Sequence, residues 1–132
     1  MTPNGHPGLG GPILVVDDDT VSRLVLAHML RGLGFEVVQA DDLGPALELL
    51  GTTHFAVVFS DYSMPGGTGL QLFETLRNLP SRPSFVLVTG IVDRAGHGEP
   101  GGDSVDAHLA KPVSTRSLRA CLRTIESRVP SP

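Results

Sequence analysis

With 132 residues the chain can build one hydrophobic core and has no room for a second. Its net charge of −4 argues against a general nucleic-acid or anionic-membrane surface, and its one cysteine, Cys121, excludes an internal disulfide. No stretch approaches the roughly 20 apolar residues of a membrane-spanning helix, and the opening MTPNGHPGLGGP lacks the basic start and apolar centre of a secretory signal, so a cytoplasmic location is expected.

Residues 1–12, rich in Gly and Pro, are expected to form a flexible lead-in and 129–132 a tail, which leaves 13–128 as the folded unit. The first apolar run, PILVV (12–16), has the composition of a buried strand and meets three carboxylates, Asp17, Asp18 and Asp19. TVSRLVLAHMLRGLG then has helical period. Asp19 or Thr20 is a candidate N-cap, Gly34 the stop, and Val21, Leu24, Val25, Met29 and Leu33 the expected inward face. FEVVQA (35–40) is a second strand, and LGPALELLG after Asp41 and Asp42 a short helix. HFAVVFS (54–60) is a third strand, followed by GTGLQLFETLRNLP, a helix that Pro80 must end. SFVLVT (84–89) and AHLA (107–110) complete five strands. The last helix, in VSTRSLRACLRTIESR, is capped by Ser114 or Thr115 and turns Leu118, Cys121, Leu122 and Ile125 inward.

One stretch breaks the alternation. DRAGHGEPGGDS (93–104) stands where a fourth helix should cross between the last two strands, yet it holds four glycines and Pro100. At about 1 kcal/mol per Gly and about 3 for Pro relative to Ala, a full helix there is disfavoured, and a short, irregular or mobile connection is expected. Continuous apolar strands alternating with helices predict an α/β fold, a doubly wound parallel sheet covered on both faces.

In such a sheet ligands sit beyond the carboxyl ends of the strands, where the strand order reverses. For the order 2-1-3-4-5 that point lies between the first and third strands. It makes neighbours of the Asp17–Asp18 pair and Asp61, which lie more than 40 residues apart in sequence. Three carboxylates that close repel by roughly 1 kcal/mol per pair in water and about 4 at an effective dielectric of 20, so protons or a cation must offset them. Mg²⁺ suits an all-oxygen set that must leave positions for phosphate oxygens. Lys111 and Thr89, each at the end of a strand, add an ammonium and a hydroxyl to the same crevice.

ILVVDDD, SDYSMPGGTGL, VLVTG and HLAKP, in this order, resemble the receiver domain of response regulators, the CheY-like superfamily of two-component and phosphorelay signalling. The resemblance spans nearly all of 13–128 and implies a flavodoxin-like (βα)₅ fold. It also implies a phosphoryl group taken from a histidine kinase or a histidine phosphotransfer protein. Carried over by position, Asp61 is the phosphoacceptor. Asp17, Asp18, Asp61 and the backbone carbonyl of Ser63 hold Mg²⁺ or Mn²⁺, Asp18 directly and Asp17 mainly through water. Thr89 corresponds to the switch hydroxyl, Lys111 to the phosphate-pairing lysine, Pro112 to a cis proline and His108 to the aromatic switch position. The domain would act as a stand-alone regulator or as the receiver of a hybrid histidine kinase. It would contact proteins rather than nucleic acid or membrane, with no enzymatic activity beyond its own phosphorylation and dephosphorylation.

Two alternatives stand beside this. Asp17, Asp19 and Thr20 also spell D-x-D-x-T, which opens haloacid-dehalogenase-type phosphatases with Asp17 as nucleophile. That family places an acidic motif after its lysine and runs longer, whereas GDSVD precedes Lys111 here. A pseudo-receiver, binding partners without phosphorylation, is the other; the complete set of acidic residues argues against it.

Overall fold

The computed structural model describes residues 9–79, 81–90 and 105–128. Its main sheet has five parallel strands, β1 (Ile13–Val16), β2 (Val37–Ala40), β3 (Val57–Asp61), β6 (Ser84–Thr89) and β7 (Ala107–Ala110), in the order β2-β1-β3-β6-β7. This is the predicted 2-1-3-4-5 arrangement. The order reverses between β1 and β3, whose register runs from Ile13 beside Val57 to Val16 beside Ser60. Asp17 and Asp61 therefore leave the sheet on the same side and at nearly the same level. A further pair of two-residue strands, β4 (Ser63–Met64) and β5 (Gly67–Thr68), forms a small antiparallel hairpin after β3 that the apolar patterning did not signal. Gly67 turns it with a positive φ of 152°, a conformation that side chains disfavour.

Four helices are described: α1 (Thr20–Gly32), α2 (Leu43–Thr52), α3 (Gly69–Leu76) and α4 (Thr115–Arg128). Alternation along the strands sorts the core into two layers. Ile13, Val15, Val57, Phe59, Val86 and Val88 point toward α1 and α4; Leu14, Val16, Val58, Phe85 and Leu87 point toward α2 and α3. Each such buried aliphatic or aromatic side chain contributes about 1.5–3 kcal/mol by leaving water.

The helix ends follow local chemistry. Asp19 Oδ2 accepts from Ser22 N at 2.8 Å and caps α1, and Ser114 Oγ accepts from Ser117 N at 3.1 Å and caps α4. Thr68 and Gln71 form a reciprocal capping box on α3. On α4 the inward face is the predicted one, Leu118, Cys121, Leu122 and Ile125. Burial pushes the Cys121 thiol up to about 12, so it packs as a small apolar residue rather than reacting.

On α1 the inward face differs from expectation. Leu26, Ala27 and Leu30 are buried, with Met29 and Leu33 packed beside them, whereas Val21 is 70% exposed and Leu24 and Val25 are each 49% exposed. The helix carries more apolar residues than one stripe can hold, and the sheet selects the arc that contacts β1 and β2. Two neighbouring features close the fold. Leu9 is buried in the α1/α4 layer, and the Pro12 carbonyl accepts from Ala56 N, so residues 9–12 also touch the packed structure. Arg82 pairs with Asp106 at 2.8 Å, and the same carboxylate accepts from Phe85 N at 2.7 Å, which ties the start of β7 to β6. The glycine-rich stretch 93–104 lies outside the described residues.

Candidate phosphoacceptor site

Each functional side chain is placed by a strand end. Asp17 continues β1 by one residue, its N–H donating to the Ala40 carbonyl at 3.1 Å. Its Oδ1 accepts from Asp19 N at 2.9 Å, which folds the Asp17–Asp18–Asp19 turn back on itself. Asp61 is the last residue of β3, in register with Val88 of β6. Oxygens of Asp17, Asp18 and Asp61 all lie within 4.8 Å of one another. Asp17 and Asp61 are buried and Asp18 is exposed, so the cluster opens to solvent on the Asp18 side.

Lys111 follows β7, precedes a cis peptide bond to Pro112, and is tied to β6 by its own N–H, which donates to the Thr89 carbonyl at 2.8 Å. Its Nζ lies 3.0 Å from Asp17 Oδ2 and 3.1 Å from Asp61 Oδ1. Burial raises the Asp61 carboxyl to about 6, with the Asp17 charge adding to the rise and Lys111 opposing it. Burial pulls the Lys111 ammonium down, but its hydrogen bonds with Asp17 and Asp61 outweigh this and hold it above the ordinary lysine value. Without another cation the site is over-charged: three carboxylates face one ammonium, and one of the three is driven toward its neutral form. An all-oxygen donor set with excess negative charge and one open side fits a hard divalent cation.

The segment after Asp61 is shaped by close approach. Gly69 N donates to the Tyr62 carbonyl at 2.7 Å, and a Cβ on Gly69 would sit 2.6 Å from the Asp61 carbonyl and 2.8 Å from Leu87 Cδ1, so only glycine lets α3 begin here. Ser63, at the start of β4, is carried just beyond Asp61 by this turn. Thr89 ends β6 one residue past the position level with Asp61 and is half-buried. His108 is exposed on the edge strand β7, beside Leu87. Asp19 does not join the acidic cluster; its hydrogen bonds with Ser22 hold its carboxyl below the usual range and commit it to capping α1. The D-x-D-x-T assignment needs that carboxylate in the site, and the helix start has taken it.

A family model for the response regulator receiver domain matches residues 13–123. The chain belongs to the response regulator receiver family. It is 32% identical over 124 residues to the chemotaxis protein CheY of Pseudomonas aeruginosa, covering 89% of this chain and 97% of that one. It is also 32% identical over 117 residues to the sensor histidine kinase RcsC of Escherichia coli, covering 89% of this chain and 12% of that much longer protein. Among solved structures, the CheY-like receiver domain from Methylobacillus flagellatus superimposes with a TM-score of 0.78 at 29% identity, covering 87% of this chain and 98% of that one. Receiver domains are phosphoacceptor modules of two-component signalling, so this chain is a signalling domain.

Two residues that hold this receiver's site together were not singled out for it from the sequence. Arg23, in the first turn of α1, donates from Nη1 to the Asp17 carbonyl at 2.9 Å and from Nε to Gln39 Oε1 at 3.2 Å. Asp42, noticed only as a carboxylate before α2, accepts from Gly66 N at 3.0 Å and so anchors the β4–β5 hairpin. For Arg23 the position becomes telling only once the fold shows which stripe of α1 is inward: with Ala27 and Leu30 it falls at i, i+4, i+7. For Asp42 there was no signal, since its partner is 24 residues away.

Proposed function

We propose that Asp61 accepts a phosphoryl group from the phosphohistidine of a histidine kinase or a histidine phosphotransfer protein, within a receiver unit spanning 13–128. The observation that carries this is the buried Asp61 carboxylate at the switch point of the sheet, inside a cluster of three carboxylates and 3.1 Å from Lys111. Asp17, Asp18, Asp61 and the Ser63 carbonyl are the groups that hold Mg²⁺ or Mn²⁺. When bound, the ion neutralises charge on the phosphoryl oxygens.

An oxygen of Asp61 attacks phosphorus in line. The donor's N–P bond breaks as the new O–P bond forms, and the electron pair leaves with an imidazole protonated on its other nitrogen, which departs neutral. Lys111 follows the developing charge because its ammonium already lies against Asp61. The acyl phosphate adds roughly −1.5 to −2 charge, by analogy with other phosphorylated side chains. The Thr89 hydroxyl then turns toward that charge, and the exposed His108 ring shifts into the space it leaves, which changes the protein-binding surface along β7.

The donor's docking surface is the exposed apolar rim of α1. A groove of about 190 Å³ is lined by Val21 and Val25 of α1 and by Pro112 and Val113 after β7, together with Asp17 and Lys111. A protein-borne phosphohistidine must cover this rim to reach Asp61. Val25→Asp is therefore expected to slow transfer from a phosphorylated donor protein about tenfold or more, a loss of 1.4 kcal/mol or more, and to slow transfer from acetyl phosphate far less. Equal slowing with both donors would place the defect in the site instead.

The deciding experiment is intact mass after incubation with Mg²⁺ and acetyl phosphate. One phosphoryl adduct on the wild type, lost when Mg²⁺ is chelated and lost in Asp61→Asn, is the expected result. An adduct that persists in Asp61→Asn would move the acceptor elsewhere.

A further inference from the structure

We propose that Arg23 is a positioning residue for the acidic site: by holding the Asp17 carbonyl it sets the turn that presents the Asp17 and Asp18 carboxylates to the cation. The inference rests on the phosphoacceptor assignment above and adds to it a residue outside the cluster of carboxylates.

Local rules argue against an arginine at this position. Residue 23 lies in the first turn of α1, where the helix dipole disfavours positive charge, and on the stripe that turns toward the sheet, where charge is costly. A residue that breaks two local rules at once has its compensation in tertiary structure. Here the compensation is visible. The Asp17 carbonyl stands one residue past the end of β1, and the guanidinium supplies it with a donor at 2.9 Å. Gln39 of β2 fixes the other side of the guanidinium at 3.2 Å, so Arg23 is held between two elements rather than swinging from one. The Asp17 backbone is thus gripped at both ends, by Ala40 through its N–H and by Arg23 through its carbonyl. Arginine's fork carries donors on opposite edges of one plane, which lets Nη1 and Nε meet two acceptors on different elements; a lysine's three donors radiate from one nitrogen and lack that spread.

Positioning and simple charge make opposite predictions, which is what makes the proposal testable. Arg23 is a cation beside an acidic cluster, so if charge were its whole effect, removing it would tighten binding of a second cation. If it sets the geometry of the turn, removing it weakens binding, as loss of groups that orient metal ligands typically does by about 10- to 100-fold.

The test is a Mg²⁺ titration of the whole chain. It is followed by the fluorescence of Tyr62, the one tyrosine in a chain without tryptophan and the neighbour of Asp61. Thermal unfolding is recorded for each protein to confirm folding at the titration temperature. Arg23→Met is expected to weaken Mg²⁺ binding about tenfold despite the loss of a positive charge, and Arg23→Lys to fall between it and wild type. Binding by Arg23→Met as tight as wild type, or tighter, while wild type itself binds Mg²⁺ and forms the adduct, would overturn the proposal and leave the phosphoacceptor assignment intact. A wild type that neither binds Mg²⁺ nor forms the adduct would overturn both. Should Arg23→Met fail to fold, Gln39→Met decides: weakening by about two- to fivefold supports the bridge, and unchanged affinity refutes it.

Discussion

Replacing Lys111 with methionine is expected to slow phosphorylation of Asp61 by acetyl phosphate about 10²–10³-fold, the usual loss when one preorganised charge-stabilising donor is removed from a site. The reason is geometric. Lys111 Nζ lies within 3.1 Å of an oxygen on each of Asp17 and Asp61, so it is in place before any charge develops on the transferring group. The same substitution is expected to tighten Mg²⁺ binding by roughly fivefold or more. It frees two carboxylate oxygens that the ammonium occupies and removes a like charge worth about 1–4 kcal/mol at such distances, depending on solvent access. Slower transfer with tighter metal binding separates Lys111 from Arg23, whose loss should weaken metal binding. Phosphorylation rates by mass spectrometry and Mg²⁺ affinity by Tyr62 fluorescence read both quantities. A rate within threefold of wild type would remove Lys111 from the mechanism.

Asp61→Asn, the substitution expected to prevent phosphorylation, is also expected to stabilise the metal-free protein at neutral pH by about 1–3 kcal/mol. The Asp61 carboxyl is raised to about 6 in the fold from an ordinary 3.8, so the folded state holds a proton that the unfolded chain has already released. A raised carboxyl contributes stability that is present below about pH 4 and is lost as pH climbs through about 6. Above that, folding must keep an ionised carboxylate buried beside Asp17. Asparagine removes the charge and keeps an oxygen for Lys111 to meet. In chelator, thermal unfolding should therefore show Asp61→Asn melting roughly 3–10 °C above wild type near pH 7.5, with the gap closing toward about pH 4. Mg²⁺ should raise the melting temperature of the wild type and act much less on the variant. A variant less stable than wild type near pH 7.5, or a gap unchanged by pH, would show that charge burial at Asp61 is not the controlling cost.

Most of the architecture was legible in the chain because each of its layers is written in a local code. Five apolar runs bounded by turn residues specify buried strands, and the helical stripe Leu118, Cys121, Leu122 and Ile125 can be placed only one way against a sheet. Polar residues at the carboxyl ends of those runs marked Asp17, Asp18, Asp61, Thr89 and Lys111 as neighbours, since a doubly wound sheet gathers strand ends at its switch point. The order of four short motifs then pointed to the receiver family.

What the tertiary structure alone decided depends on partners distant in sequence. The face that α1 buries was misjudged because the helix is apolar around most of its circumference, and only the position of the sheet separates Leu26, Ala27 and Leu30 from the exposed Val21, Leu24 and Val25. The role of Asp42 in anchoring the hairpin, and of Arg23 in bridging the Asp17 carbonyl and Gln39, arises from hydrogen bonds across loops that no periodicity encodes. Composition and spacing are properties of the chain, so the sequence by itself determined which residues carry charge and which elements bear them. Distance is a property of the fold, and it decides whether a carboxylate binds a cation, caps a helix or latches a loop.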